Sequence, residues 1–100
     1  MKKRFVVSLA SSNPLGEKAF AEWVTDKYAW WHWVKTIWLI VDDNGSLTAE
    51  SVRNKLKECF PGVHNLVIEI RADGTENYAG VVPSDEVGAA QEWLNNWWKW

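Results

Sequence analysis

The spacing of apolar positions divides the chain into short strands and amphipathic helices. Residues 4–10 form an apolar run that ends at a turn-rich stretch, which is typical of a buried strand leading into a helix. Asn13 is a suitable N-cap and Pro14 fits the first helical position, so a helix is expected from Leu15 to about Ala29. Its inward positions at helical spacing are Phe20, Trp23, Val24 and Tyr28.

From Trp30 the period changes to two and indicates an extended segment that ends at a turn, Asp42-Asp43-Asn44-Gly45. Its two sides are Trp31, Trp33, Ile37, Leu39 and Val41, and Trp30, His32, Val34, Trp38 and Ile40. Both sides are mostly apolar. Such a strand must be covered twice, by helices on one side and by another sheet, subunit or ligand on the other.

The second half of the chain adds a second helix, two further strands and a last helix. Thr48 caps the second helix, which Pro61-Gly62 ends, and its inward residues are Val52, Leu56, Cys59 and Phe60. The strands are Leu66 to Ile70 and Tyr78 to Val82, with a turn at Asp73-Gly74 between them. The last helix begins near Ser84 and carries an apolar stripe of Val87, Ala90, Leu94, Trp97 and Trp98.

This order of elements predicts an α+β fold of the ferredoxin-like split βαβ type (βαββαβ), with an additional C-terminal amphipathic helix. We expect an antiparallel sheet with helices on one face. A chain of 100 residues with 47% hydrophobic residues suits a single domain over residues 1–100.

Composition and charge narrow the class of protein further. The single cysteine, Cys59, can form neither an internal disulfide nor a cysteine zinc site, which favours a reducing compartment, so we expect a cytoplasmic protein. His32 and Lys35 interrupt the most apolar region, and no membrane span or membrane partner is expected. A formal net charge of −2 gives no global basic footprint for nucleic acid.

Residues that carry chemistry are sparse, and we expect no catalytic residues, no metal site and no cofactor. The glycines are isolated, and no Ser/His/Asp spacing is present. Asp42 and Asp43 are weak metal candidates, because paired carboxylates in a turn are also common without metal. His32 is either a buried or interfacial histidine or a general base for Cys59.

The nine tryptophans exceed what one core of this size holds comfortably, so some of them must lie at a surface. The surface is a homodimer interface, a site for a different protein, or a platform for single-stranded nucleic acid. The predicted interface residues are Trp30, Trp31, His32, Trp33, Trp38, Trp93, Trp97 and Trp98. Weaker candidates for nucleic-acid contacts are Lys2, Lys3, Arg4 and Lys35, although the first three also suit a solvated chain end that protects an edge strand.

Several stretches resemble a known group of small bacterial proteins. They are Ala29-Trp30-Trp31-His32, Trp38-Leu39-Ile40-Val41, Leu47 to Arg53 with Leu56, Tyr78-Ala79-Gly80 and Glu92-Trp93-Leu94. These resemble proteins labelled "SinR family", which are similar to the CRISPR-associated adaptation dimer proteins and their VapD-like toxin relatives. The resemblance implies a ferredoxin-like homodimer. Nuclease members of that group hold a divalent metal through an aspartate at the end of the first strand, whereas the matching segment here, Val7 to Ser11, has no carboxylate.

From these observations we expect a non-catalytic homodimeric binding protein that also has a protein partner. The resemblance adds a setting, that of a phage or mobile-element protein acting on a host defence or toxin–antitoxin system. The alternative is a metal-dependent nuclease or a single-stranded nucleic-acid binder of the adaptation-dimer or VapD-like type.

Overall fold

Four antiparallel strands form the sheet within the described part of the chain, residues 2–70 and 87–98 of a computed structural model. They are β1 (Lys3–Leu9), β2 (Ala29–Val34), β3 (Ile37–Asp42) and β4 (Asn65–Ile70), in the spatial order β2-β3-β1-β4. Strands β1 and β2 run parallel with β3 between them, and β3 and β4 run parallel with β1 between them. This is the predicted ferredoxin-like split βαβ arrangement. The strand predicted at residues 78–82 lies outside the described residues.

The segment from Trp30 to Val41 is a hairpin, and the prediction of one extended strand is wrong. Lys35 and Thr36 form the turn between β2 and β3. Residues that pair across an antiparallel hairpin share a face, and here Trp30 pairs with Ile40 while Trp31 pairs with Leu39. Each of these pairs joins two even or two odd positions. Val34, next to the turn, instead pairs with Ile37, and an irregularity in the register between Trp31 and Val34 restores the alternation further from the turn.

Helices α1 (Pro14–Thr25) and α2 (Ala49–Cys59) begin at the predicted caps. The Asn13 side chain accepts a hydrogen bond from the backbone N–H of Gly16 at 2.7 Å, and Thr48 forms a capping box with Ser51. Helix α1 ends four residues earlier than predicted, because the chain turns at Asp26 and enters β2 by Ala29.

The core lies between one face of the sheet and the two helices α1 and α2. The sheet contributes alternate positions of β1 together with Trp38 and Ile40 of β3, and the helices contribute their predicted inward residues. Its buried members are Phe5, Val7, Leu9, Phe20, Val24, Trp38, Ile40, Leu47, Val52, Leu56 and Phe60. Cys59 is also predicted to face inward, but it is only partly buried, whereas Val52 and Leu56 are fully buried.

The last helix lies against the opposite face of the sheet. It consists of α3 (Val87–Trp93) followed by a π-helical turn (Leu94–Trp98), and these twelve residues are called the terminal helix below. Arg4, which alternates with the core residues of β1, donates a hydrogen bond to the carbonyl oxygen of Trp98 at 3.0 Å. The described helices thus cover both faces, α1 and α2 on one and the terminal helix on part of the other.

The two core helices approach each other closely at Gly16. A Cβ atom placed on this glycine would lie 2.4 Å from ring atoms of Phe60 and 2.8 Å from the carbonyl oxygen of Cys59. Real side chains do not tolerate such distances, so α1 can pack on the end of α2 only with glycine at this position.

We expect Gly16→Ala to destabilise the fold by about 1–3 kcal/mol, because the added methyl group overpacks the contact between the helices. Gly88→Ala is the matched control. Gly88 lies in α3 with nothing within 4 Å of the added Cβ, so its replacement should be neutral or slightly stabilising. Urea unfolding of both variants measures the difference, and equal stabilities would contradict the close approach.

Candidate interaction surface

The sheet face opposite the core carries an apolar area that the described part of the chain leaves partly exposed. Val6 pairs with Leu39 on one side and with Ile68 on the other, and Leu39 pairs with Trp31, so one apolar row crosses all four strands. Leu66 lies in the neighbouring row and is 60% exposed, while Ile68 is 45% exposed. Val6, Leu39, Leu66 and Ile68 are called the open face below.

The other part of the same sheet face is covered by the terminal helix, which is held through Arg4. This side chain is 1% exposed, and its guanidinium carbon lies 4.7 Å from the ring centroid of Trp98. Lys2 donates from Nζ to the carbonyl oxygen of Trp97 at 3.2 Å. Arg4 and Lys2 therefore place positive charges at the C-terminal end of a helix, where the carbonyl oxygens carry the negative end of the helix dipole.

The structure divides the predicted interface residues between the core and the surface. Trp38 is 1% exposed and lies beneath α1, so its assignment to an interface is wrong: its position in the hairpin directs it to the helix-covered face. Trp31 and Trp98 are each 7% exposed. Trp97 is the exposed member of the set, at 43%, and the partly buried members are Trp30, His32, Trp33 and Trp93.

Leu66 and Ile68 are not among the residues predicted at an interface, although they are among the most exposed large apolar residues of the described chain. The period-two pattern of residues 65–70 does place Leu66 and Ile68 on the same side of the strand. Because β4 is only six residues long, its own sequence does not show which of its sides faces the helices. The pairing of Val6 with Ile68 decides that, and it is a tertiary property.

His32 is a structural histidine that joins α1 to the hairpin. Its ring stacks on Trp38 with the centroids 3.8 Å apart, Nδ1 lies 2.9 Å from the carbonyl oxygen of Ile37, and Nε2 lies 3.3 Å from Glu17 Oε1. Ser12 donates to the other Glu17 oxygen at 2.6 Å. These hydrogen bonds, and the charges of His32 and Lys35, outweigh partial burial and hold the pKa of Glu17 below its usual value.

This network does not make His32 a general base for Cys59. Both ring nitrogens of His32 already face other acceptors, Ile37 and Glu17. Burial is the main reason that the pKa of the Cys59 thiol is raised, so the thiol stays protonated near neutral pH. The arrangement therefore provides no activated nucleophile at Cys59.

Of the two weak metal candidates, Asp42 organises its turn. Its carboxylate is 1% exposed and accepts hydrogen bonds from the backbone N–H groups of Asn44 at 3.0 Å and Leu47 at 2.7 Å. Asp43 is exposed and lies beside an aromatic groove. Over residues 2–70 and 87–98, no three His, Cys, Asp or Glu side chains group closely enough to hold a metal ion.

The four cations considered for nucleic acid are scattered and mostly engaged. Arg4 and Lys2 contact the terminal helix, and Lys3 donates from Nζ to the carbonyl oxygen of Leu47 at 3.0 Å. Lys35 is exposed in the hairpin turn. The open face between them carries no charged side chain. Phosphate groups would therefore meet no continuous basic surface there.

No protein-family model, no curated protein and no solved structure matches the chain. Among the described residues, no helix is both long enough and apolar enough to cross a membrane.

We expect Arg4→Met to release the terminal helix while the sheet stays folded, because the variant loses a charge-assisted hydrogen bond and the contact with the Trp98 ring. The local loss is about 2 kcal/mol, typical of a buried hydrogen bond to a charged group. Amide hydrogen exchange should therefore accelerate in residues 87–98 and not in β1 or β3. Lys2→Met is the control with a smaller effect, since Lys2 is only partly buried. Unchanged protection in Arg4→Met would contradict this role.

The lowered pKa of Glu17 predicts an acid-sensitive contribution to stability. Because the pKa of this carboxyl is lower in the folded chain than its usual 4.5, its contribution is present above about pH 4.5 and is lost as the pH falls through the folded pKa. Glu17→Gln should remove this part of the pH dependence. Urea unfolding from about pH 7 to about pH 3 measures it, with Glu22→Gln as a control on the exposed side of α1. Identical pH profiles of Glu17→Gln and the wild type would refute the assignment.

Proposed function

We propose that the protein is a non-catalytic binding protein that works as a homodimer, with the open face as its interface. The observation that carries this proposal is the exposure of Leu66 and Ile68 beside Val6 and Leu39 on one face of the sheet. Aliphatic side chains in contiguous rows are costly to leave in water, and such patches on soluble domains are typical of interaction sites.

A second copy of the same face is the partner that fits this surface best. The open face and the residues between its members, Ser8 and Ile37, carry no charge, so a partner needs neither opposite charge nor a deep pocket. A two-fold axis that lies between two open faces, parallel to both sheets, would place aliphatic rows on aliphatic rows, and such two-fold pairing is usual for identical subunits. Isologous pairing also matches the homodimer implied by the resemblance to adaptation dimer proteins, which stays a prediction.

Binding rather than catalysis is favoured by the placement of the reactive side chains. His32 and Glu17 are used in packing, Asp42 in a turn, and the Cys59 thiol is kept protonated by burial. A nuclease of the adaptation-dimer type would need a carboxylate at the end of β1, where Ser8 and Leu9 stand. A role in a defence or toxin–antitoxin setting would therefore depend on the dimer as a binding surface.

We expect a mass in solution of about twice the 11.5 kDa of one chain, because pairing removes the open face from water. Ile68→Asp should give a folded monomer, since this side chain is already 45% exposed in the single chain and a charge there opposes only association. Light scattering coupled to gel filtration measures the mass, and circular dichroism verifies the fold.

Leu15→Asp is the matched control, because Leu15 is 83% exposed on α1, on the other side of the sheet. This variant should remain dimeric. A monomeric wild type at micromolar concentration, or an Ile68→Asp variant that keeps the doubled mass, would refute the open face as the interface.

A further inference from the structure

An open groove lies at the β2 edge of the sheet, away from the open face. It has a volume of about 460 Å³, within the roughly 300–1,000 Å³ of small-molecule sites. Four aromatic side chains line it, Tyr28, Trp30, Trp93 and Trp97. The groove thus unites part of the hairpin with the terminal helix, which are far apart in the sequence.

Three of these aromatic rings are supported by a second aromatic ring behind them. The centroid of Trp30 lies 5.4 Å from that of Trp38, Tyr28 lies 5.5 Å from Trp23, and Trp93 lies 6.4 Å from Trp98. The supporting rings of Trp38 and Trp98 are themselves buried. A site whose walls are fixed in this way loses little side-chain entropy when a ligand binds.

Hydrogen bonds also hold the Trp30 side of the groove. Trp30 donates its indole N–H to Thr25 Oγ1 at 3.2 Å, and Thr25 in turn donates to the carbonyl oxygen of Ala21 at 2.6 Å. Because its N–H group is already used, Trp30 would bind a ligand through its ring rather than through a hydrogen bond. Aromatic faces are negative and attract cations, most strongly when several surround one charge.

The groove offers a cation one exposed carboxylate, that of Asp43. The lining also carries the ammonium group of Lys27, and Lys2 donates to the carbonyl oxygen of Trp97. The preference for a cation therefore comes from the aromatic faces together with Asp43, and not from an excess of negative charge.

We propose that the aromatic groove binds a quaternary ammonium group, held between the faces of Trp30, Trp93, Trp97 and Tyr28 and paired with the Asp43 carboxylate. A quaternary ammonium ion fits because it is cationic, has an apolar surface, and carries no N–H group that would require hydrogen-bond acceptors. This proposal does not depend on the homodimer, since the groove and the open face share no residue.

The test is a titration with choline and with 3,3-dimethylbutan-1-ol, which has the same shape and no charge, followed by NMR of the tryptophan indole N–H signals. Choline should shift the signals of the groove tryptophans at millimolar concentration, and the alcohol should bind at least several-fold more weakly. A short peptide that carries trimethyllysine forms a second arm. If the peptide binds more tightly than choline, the source is a modified protein, and if choline binds more tightly, the source is a small molecule.

Two substitutions of opposite expected sign make the test specific for charge. Asp43→Asn should weaken choline binding several-fold, and Lys27→Gln should strengthen it, because Lys27 repels the ligand cation. Glu22→Gln, an exposed carboxylate outside the groove, is the control and should have no effect. Equal binding of the alcohol and choline, no shift of the groove tryptophans, or insensitivity to both substitutions would overturn the proposal.

Discussion

Both faces of one four-stranded sheet carry apolar side chains, and the helices are arranged so that they cover these side chains. Helices α1 and α2 cover one face completely enough to leave Phe5, Val7 and Ile40 without exposure. Within residues 2–70 and 87–98, the second face has only the terminal helix, which reaches Arg4 and leaves Leu66 and Ile68 exposed. Burial of apolar surface is the main driving force of folding, and the two faces of the sheet differ in how far the described residues achieve it.

The buried Arg4 makes the partial cover of the second face specific. An apolar residue in its place would also pack, but it would not select the position of the helix end. The guanidinium group satisfies the terminal carbonyl of Trp98 and stacks on its ring, so two different interactions fix one residue. A buried cation needs such partners, and this requirement determines where the helix ends relative to β1.

The tryptophans act as pairs of rings rather than as one uniform surface. Trp38 and Trp98 lie inside, while Trp30 and Trp93 lie in front of them and line a groove. His32 adds a third ring against Trp38 and connects the hairpin with α1 through Glu17. The abundance of tryptophan thus serves two purposes, since the inner rings build the core and the outer rings form a recessed surface.

The fold class, the caps at Asn13 and Thr48, and the inward residues of α1 and α2 could be predicted from the sequence, because these follow from local spacing and backbone hydrogen bonding. The tertiary structure was needed to show that residues 30–41 reverse at Lys35 and Thr36, because the register irregularity between Trp31 and Val34 keeps one alternation in both strands away from the turn. It also decided which apolar residues remain exposed. Burial of Trp38 and exposure of Ile68 depend on which face each strand turns towards the helices, and that is set by contacts between residues distant in the chain.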